Sequence, residues 1–171
     1  MTAEQLITKY QMLPHPEGGW YRETYRSNEI FPASALPNRY DGNRVFSTAI
    51  YFLLEKGHYS SFHRISSDEC WHFYAGAPIN IYMLHADGNA TMVQLGNDPG
   101  NHQCFQFVIR AGTWFAAVPA EGGDYSFIGC TVSPGFEFAD FELADKEILK
   151  QVFPENIDLI EKYCREEKGE E

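Results

Sequence analysis

The chain has 171 residues, of which 44% are hydrophobic, 15% aromatic and 22% charged. That length fits one domain that can bury a core without disulfides or metal, and the composition excludes a disordered chain, a collagen and a long coiled coil. Thirteen Lys and Arg against 24 Asp and Glu give a net charge of −11, which argues against a general nucleic-acid partner or an anionic membrane surface.

In chain order, Thr2 to about Tyr10 predicts a short helix, with Thr2 as N-cap and Gln5 closing a capping box. Leu13-Pro14-His15-Pro16-Glu17-Gly18-Gly19 then breaks the helix and turns the chain. Trp20–Arg26 alternates aromatic with charged or polar residues and predicts a strand with one wet face. Residues 27–44 have no periodicity and read as a long loop, a length usual for a lid or an insertion. From Val45 to Val132 the pattern is strand after strand: Val45–Leu54, Tyr59–Ile65, Glu69–Tyr74, Ile79–His85, Thr91–Leu95, Cys104–Ile109, Phe115–Val118 and Tyr125–Val132. Asp-Gly and Gly-Gly steps between them are hairpin signals. Ala144–Val152 and Glu155–Cys164 have helical spacing, with Pro154 where its missing N–H costs nothing. From Glu166 a charged fray is expected. The tail from residue 137 carries −7 of the net charge, whereas five of the seven Arg lie between Arg22 and Arg64.

The sequence contains no apolar run long enough to span a membrane and no signal peptide at its N-terminus. Its four cysteines (Cys70, Cys104, Cys130, Cys164) are widely spaced and predict reduced thiols in a cytoplasmic protein. The expected architecture is one all-β-dominated domain over 1–171. A helix and turn occupy 1–19, an antiparallel β-barrel or jelly roll 20–143, and a helical tail 144–171.

One segment carries chemistry. Gly57, His63, Glu69 and Gly76 fit the spacing Gly-x5-His-x-His-x3-Glu-x6-Gly, with Ile65 in the second His position. This resembles the first motif of the cupin superfamily. A second, weaker match runs over Gly112–Gly122, followed by Asp124, Tyr125 and Ser126 where a metal-binding His would stand. Three stretches are similar to one branch, the cupin 5 family, formerly the uncharacterised DUF985 proteins. They are His15–Arg22, Phe62-His63-Arg64 with Asp68-Glu69, and Ser133–Leu143. The resemblance implies a cupin jelly roll that forms homodimers, with no activity established for the family.

No cofactor is firmly expected. A cupin-type metal wants two or three His and a carboxylate. By strand alternation Ser61, His63 and Ile65 share a face, and Ile65 cannot ligate. Glu69, Trp71 and Phe73 share another, which leaves His72 opposite. If a divalent metal is bound, His63, Glu69 and His72 are the candidates. Without one, a carboxylate beside an imidazole makes a general base: His63 as base, Glu69 as its orienter and Tyr125 as acid. The class is a metal-independent isomerase or epimerase on a carbohydrate-like or nucleotide-sugar-like molecule, similar in kind to cupin sugar-nucleotide epimerases. The alternatives are a non-catalytic protein that binds a small, even anionic, ligand, and a metal-dependent cupin enzyme. Ser61, Trp71, Phe73, Tyr82, Arg22 and Glu17 are candidate ligand contacts. Arg22 and Arg26, four apart, would share a strand face and meet an anion, or else pair with acids such as Glu17 or Glu23.

Overall fold

The computed structural model describes residues 1–165, so the charged fray expected from Glu166 lies outside them. Helix α1 (Ala3–Tyr10) precedes β1 (Leu13–Pro14), β2 (Trp20–Arg26), β3 (Ile30–Phe31), β4 (Arg44–Val45), β5 (Thr48–Glu55), β6 (Ser60–Ile65) and β7 (Asp68–Gly76). Then come β8 (Ile79–Leu84), β9 (Ala90–Leu95), β10 (Gln106–Ile109), β11 (Trp114–Pro119), β12 (Tyr125–Ser133), β13 (Phe141–Leu143), α2 (Lys146–Val152) and α3 (Ile157–Tyr163). The capping box forms as expected: Gln5 N–H donates to Thr2 Oγ1 at 3.3 Å and Thr2 N–H to Gln5 Oε1 at 3.0 Å.

Antiparallel pairing builds a six-stranded sheet, β1-β2-β5-β12-β7-β10, and a five-stranded sheet, β13-β6-β11-β8-β9. This is the two-sheet jelly roll of the expectation. Period-2 alternation sorts the side chains. Phe52 and Leu54 of β5 enter the central core with Trp71, Ile81, Phe115 and Ile128, while Leu53 turns outward onto Leu6 of α1. Each fully buried residue of this kind contributes about 1.5–3 kcal/mol relative to exposure. On the other sheet, Phe62, Leu84 and Ala116 face outward and are covered by Leu149, Phe153, Ile160 and Tyr163 of the tail. The acidic tail thus has an apolar underside, and its solvated side carries the charge.

The long loop over 27–44 is not open. Ile30–Phe31 pairs with Arg44–Val45, so the expected strand from Val45 begins one element early and restarts at Thr48. Arg44 is buried, its Nε and Nη2 both 2.6 Å from the Asp140 carboxylate. Arg39 Nε donates to the Ser66 carbonyl at 2.7 Å. Both arginines tie the loop to the body of the domain. Among the described residues no helix is long and apolar enough to cross a membrane.

Candidate functional site

A cavity of about 260 Å3 opens between the sheets at one end of the jelly roll. Each strand reaches it through alternate residues: Thr48, Ile50 and Phe52 from β5, His63 and Ile65 from β6, Glu69 from β7, and Cys130 and Val132 from β12. Tyr21, Glu23 and Arg26 of β2 line it on one side, and Phe136, Glu137, Phe138 and Phe141 on another. His15 and Glu17, from the turn before β2, complete the wall.

That turn is held tightly. Gly18 and Gly19 both have positive φ, 121° and 71°, and a Cβ at either would overlap a backbone carbonyl, of Tyr59 or Leu53 respectively. The Ser61 N–H donates to the Glu17 carbonyl at 2.8 Å. The glycine pair therefore lets the turn lie against β5 and β6, which drops the Glu17 side chain into the domain.

Glu17, not Glu69, is the carboxylate paired with His63. Glu17 Oε2 lies 3.0 Å from His63 Nε2 and 3.4 Å from His15 Nδ1, and Glu17 Oε1 accepts from Ser60 Oγ at 2.8 Å. His63 Nδ1 lies 2.7 Å from the Ser61 carbonyl. Burial alone would raise the Glu17 carboxyl. The charges of His63 and His15 and the hydrogen bonds from His63 and Ser60 override it and hold the group at about 2. Burial pulls His63 down, but the Glu17 charge and hydrogen bond, the Ser61 carbonyl and Glu69 together raise it. An acceptor stands at each ring nitrogen of His63, which favours the protonated ring. The expected role as general base needs a nitrogen lone pair turned to the cavity, whereas both nitrogens face the Glu17 carboxylate or the Ser61 carbonyl.

Glu69 is the group left to titrate. Burial and the nearby Glu17 charge push its carboxyl up to about 7, against the pull of His63, the Cys130 thiol and the Trp71 indole. Trp71 Nε1 is buried beside the Glu69 carboxyl, short of full hydrogen-bond geometry. Burial lowers His15, against the opposing pull of the Glu17 charge. The Glu17 N–H reaches its Nδ1 at 3.4 Å, so Nε2 carries the proton. Among the described residues that Nε2–H has no protein partner, and the His15 side chain is only 8% exposed. Tyr21, Phe138 and Phe141 surround its ring at 4.9–6.0 Å.

The other expected site residues divide by two bulges. Opposite β11, the register passes from Phe115↔His63 to Ala117↔Ser60, one residue out of step. Ser60 therefore takes the inward place, and the Ser61 hydroxyl turns out to accept from the Arg165 N–H at 3.0 Å. Between β2 and β5 a shift after Glu23 reverses the alternation. Arg26 lines the cavity while Arg22 is exposed outside it, so the two do not share a face. Trp71 and Phe73 belong to the core or its margin. Tyr82 lies outside under the tail, stacked on Tyr163 at 5.2 Å. Tyr125, the expected acid, lies outside the cavity wall with its hydroxyl on the Met1 carbonyl at 2.9 Å. His72 faces away, as alternation requires, with Nε2 3.1 Å from Thr131 Oγ1.

The conditional metal set of His63, Glu69 and His72 therefore does not converge. Among the described residues no three His, Cys, Asp or Glu side chains are grouped to hold a metal. Ile65 fills the second His position on the wall, and both His63 nitrogens are committed to acceptors. These residues do not fit a cupin-type metal.

Sequence reasoning missed His15, Ser60 and the phenylalanine wall, and it gave Glu17 no partner. The signal was present in the His-x-Glu-Gly-Gly spacing, where two consecutive glycines next to a strand mark a close backbone approach.

The family described as "Cupin superfamily (DUF985)" matches residues 4–144. The uncharacterized protein YML079W of Saccharomyces cerevisiae is 31% identical over 165 residues, spanning 90% of this chain and 82% of that protein. The crystal structure of protein SO0799 from Shewanella oneidensis is 38% identical with a TM-score of 0.87, covering 98% of this chain and 99% of that one. A hypothetical protein from Leishmania major is 31% identical, also at 0.87, covering 97% and 100%.

Proposed function

The chain belongs to the DUF985 family of the cupin superfamily, and we propose that it binds a small polar molecule in the cavity and moves a proton on it, as a metal-independent isomerase or epimerase. The observation that carries this reading is the division of labour among four buried groups. His63 and Glu17 neutralise one another and are fixed, whereas Glu69 and His15 line the same cavity and Glu69 has no salt bridge of its own. A carboxyl near pH 7 can accept or return a proton at the working pH.

In the proposed step the Glu69 carboxylate removes a proton from a carbon next to a carbonyl. The electrons of that C–H bond form the C=C bond of an enol or enolate, and the carbonyl π pair moves to oxygen. The His15 Nε2–H donates to that oxygen. The Glu69 carboxylic acid then returns the proton to the same carbon, on its other face once the enol has turned in the cavity, or to the former carbonyl carbon while the neighbouring hydroxyl passes its proton to the first oxygen and becomes the new carbonyl, so atoms and electrons balance without an oxidant. The fixed His63 imidazolium favours the ionised Glu69 by its charge.

Size supports a substrate of one sugar ring rather than a nucleotide-sugar. The cavity of about 260 Å3 is below the range of roughly 300–1,000 Å3 for sites enclosing drug-sized ligands. A binding protein without catalysis is the second reading, favoured by the mutual neutralisation of His63 and Glu17.

Incubation in D2O with a panel of small aldoses, ketoses and amino sugars tests the proposal by NMR. Acid–base chemistry washes deuterium into the substrate's acidic C–H position, and Glu69→Gln should abolish the exchange. Saturable binding without exchange for any bound compound would contradict the enzyme and leave the binding protein.

A further inference from the structure

We propose that the molecule this cavity holds is a small organic cation, a protonated amine or quaternary ammonium on a hydroxylated body. This rests on the reading above that the cavity binds a small polar molecule, and it names that molecule's charge class. Two cations, Arg26 and the His63 imidazolium, share the wall with four carboxylates, Glu17, Glu23, Glu69 and Glu137. Both cations already have carboxylate partners. His63 is committed to Glu17 and the Ser61 carbonyl. The Arg26 guanidinium donates through Nε and Nη2 to Glu23, through Nη1 to Glu137 at 2.7 Å, and again through Nη2 to the Phe136 carbonyl.

An anion would compete with Glu23 and Glu137 for the half-exposed Arg26 and enter a wall already in negative excess, which is most costly at the buried end beside Glu17 and Glu69. A cation meets the opposite conditions. Phe136, Phe138 and Phe141 lie edge to face, with centroids 5.1–6.4 Å apart, and present an aromatic side to the cavity. Aromatic faces attract ammonium groups, most of all when desolvated. Glu69, buried and without a basic partner of its own, is the carboxylate whose missing counter-charge a bound ammonium would supply. The burial cost that the ionised Glu69 bears in the empty cavity is offset when a cation enters.

Calorimetric titration of the full-length protein tests this with ligands matched in shape. The probes are choline against 3,3-dimethyl-1-butanol, its neutral isostere, and glucosamine against glucose, with 3,3-dimethylbutyrate as the anion. Each cation is expected to bind at least tenfold more tightly than its neutral counterpart, and the anion more weakly than either. Glu69→Gln should remove most of that preference, weakening each cation at least fivefold more than its neutral counterpart. Glu137→Gln, at a more exposed place on the wall, should weaken the preference without the same dependence on the buried site. Equal or tighter binding of the neutral compounds, or preference for the anion, would overturn the charge class while leaving a small-molecule site. Failure of all five to bind would overturn both the charge class and the small-molecule reading.

Discussion

Glu17 Oε2 lies 3.0 Å from His63 Nε2, and the far ring nitrogen of the same histidine lies 2.7 Å from the Ser61 carbonyl, so His63 is locked at both ends. Two buried charges in this arrangement satisfy each other, and removing either leaves the other exposed to a low dielectric. Breaking a buried pair from one side costs about 3–5 kcal/mol. His63→Ala and Glu17→Ala should each destabilise by that order in denaturant titration, and the double substitution by less than the sum. Additive losses would mean the two groups do not interact.

The pair also fixes a pH window. Glu17 is depressed to about 2 from an unfolded value near 4.5, so its contribution is present above about pH 4.5 and lost as pH falls toward 2. His63 is raised above its ordinary 6.5, so its contribution is complete below that value and lost as pH rises through the folded-state value. Stability from this pair should therefore be greatest between about pH 4.5 and 6.5, measured as midpoint against pH, and the dependence should vanish in a Glu17→Gln, His63→Gln double variant.

Glu69 has the opposite sign. Its carboxyl is near 7 folded against 4.5 unfolded, so the folded state holds the proton more tightly and stability falls as pH rises between those values. The full cost is on the order of 3 kcal/mol at 1.36 kcal/mol per unit. Glu69→Gln should leave the melting temperature near its parent value at pH 4.5 and raise it above pH 7, while proton exchange on substrate is lost. Destabilisation at every pH would show that Glu69 holds the fold rather than working in the cavity.

Arg44 supports the cavity from behind. It holds Asp140, also buried, through two bonds of 2.6 Å, and Asp140 sits in the segment that carries Phe136, Phe138 and Phe141. Arg44→Met should cost about 3–5 kcal/mol by leaving Asp140 unpaired, and ligand affinity should fall with it. Arg44→Met with Asp140→Leu should recover much of the stability. A single variant as stable as the parent would contradict the role of this pair.

Much of the fold is legible in the residues. The strand Trp20–Arg26, the Thr2/Gln5 cap and the two tail helices follow from period, cap and turn chemistry alone. The His63 and Ile65 pairing on one face also follows from alternation. What alternation cannot supply is the bulge, because the extra residue leaves no mark in the hydrophobic pattern. Hence Ser61 was expected where Ser60 stands, and Arg22 was grouped with Arg26. Partners distant in the chain are invisible for the same reason. Glu69 is closer in sequence to His63 than Glu17 is, but the glycine turn brings the more distant carboxylate to the ring. Ile65, an apolar residue at a motif's histidine position, was informative because chemistry alone says it cannot ligate.

The proposed chemistry requires that Glu69 exchange a proton near neutrality while His63 stays charged against Glu17. Carbon-13 NMR of the glutamate carboxyls, with Glu69 assigned by Glu69→Gln, measures this directly. A titration midpoint near 7 for Glu69, with a Glu17 signal ionised down to about pH 2, is the expected result. A Glu69 midpoint near the ordinary 4.5, with His63 titrating freely at 6.5, would contradict it.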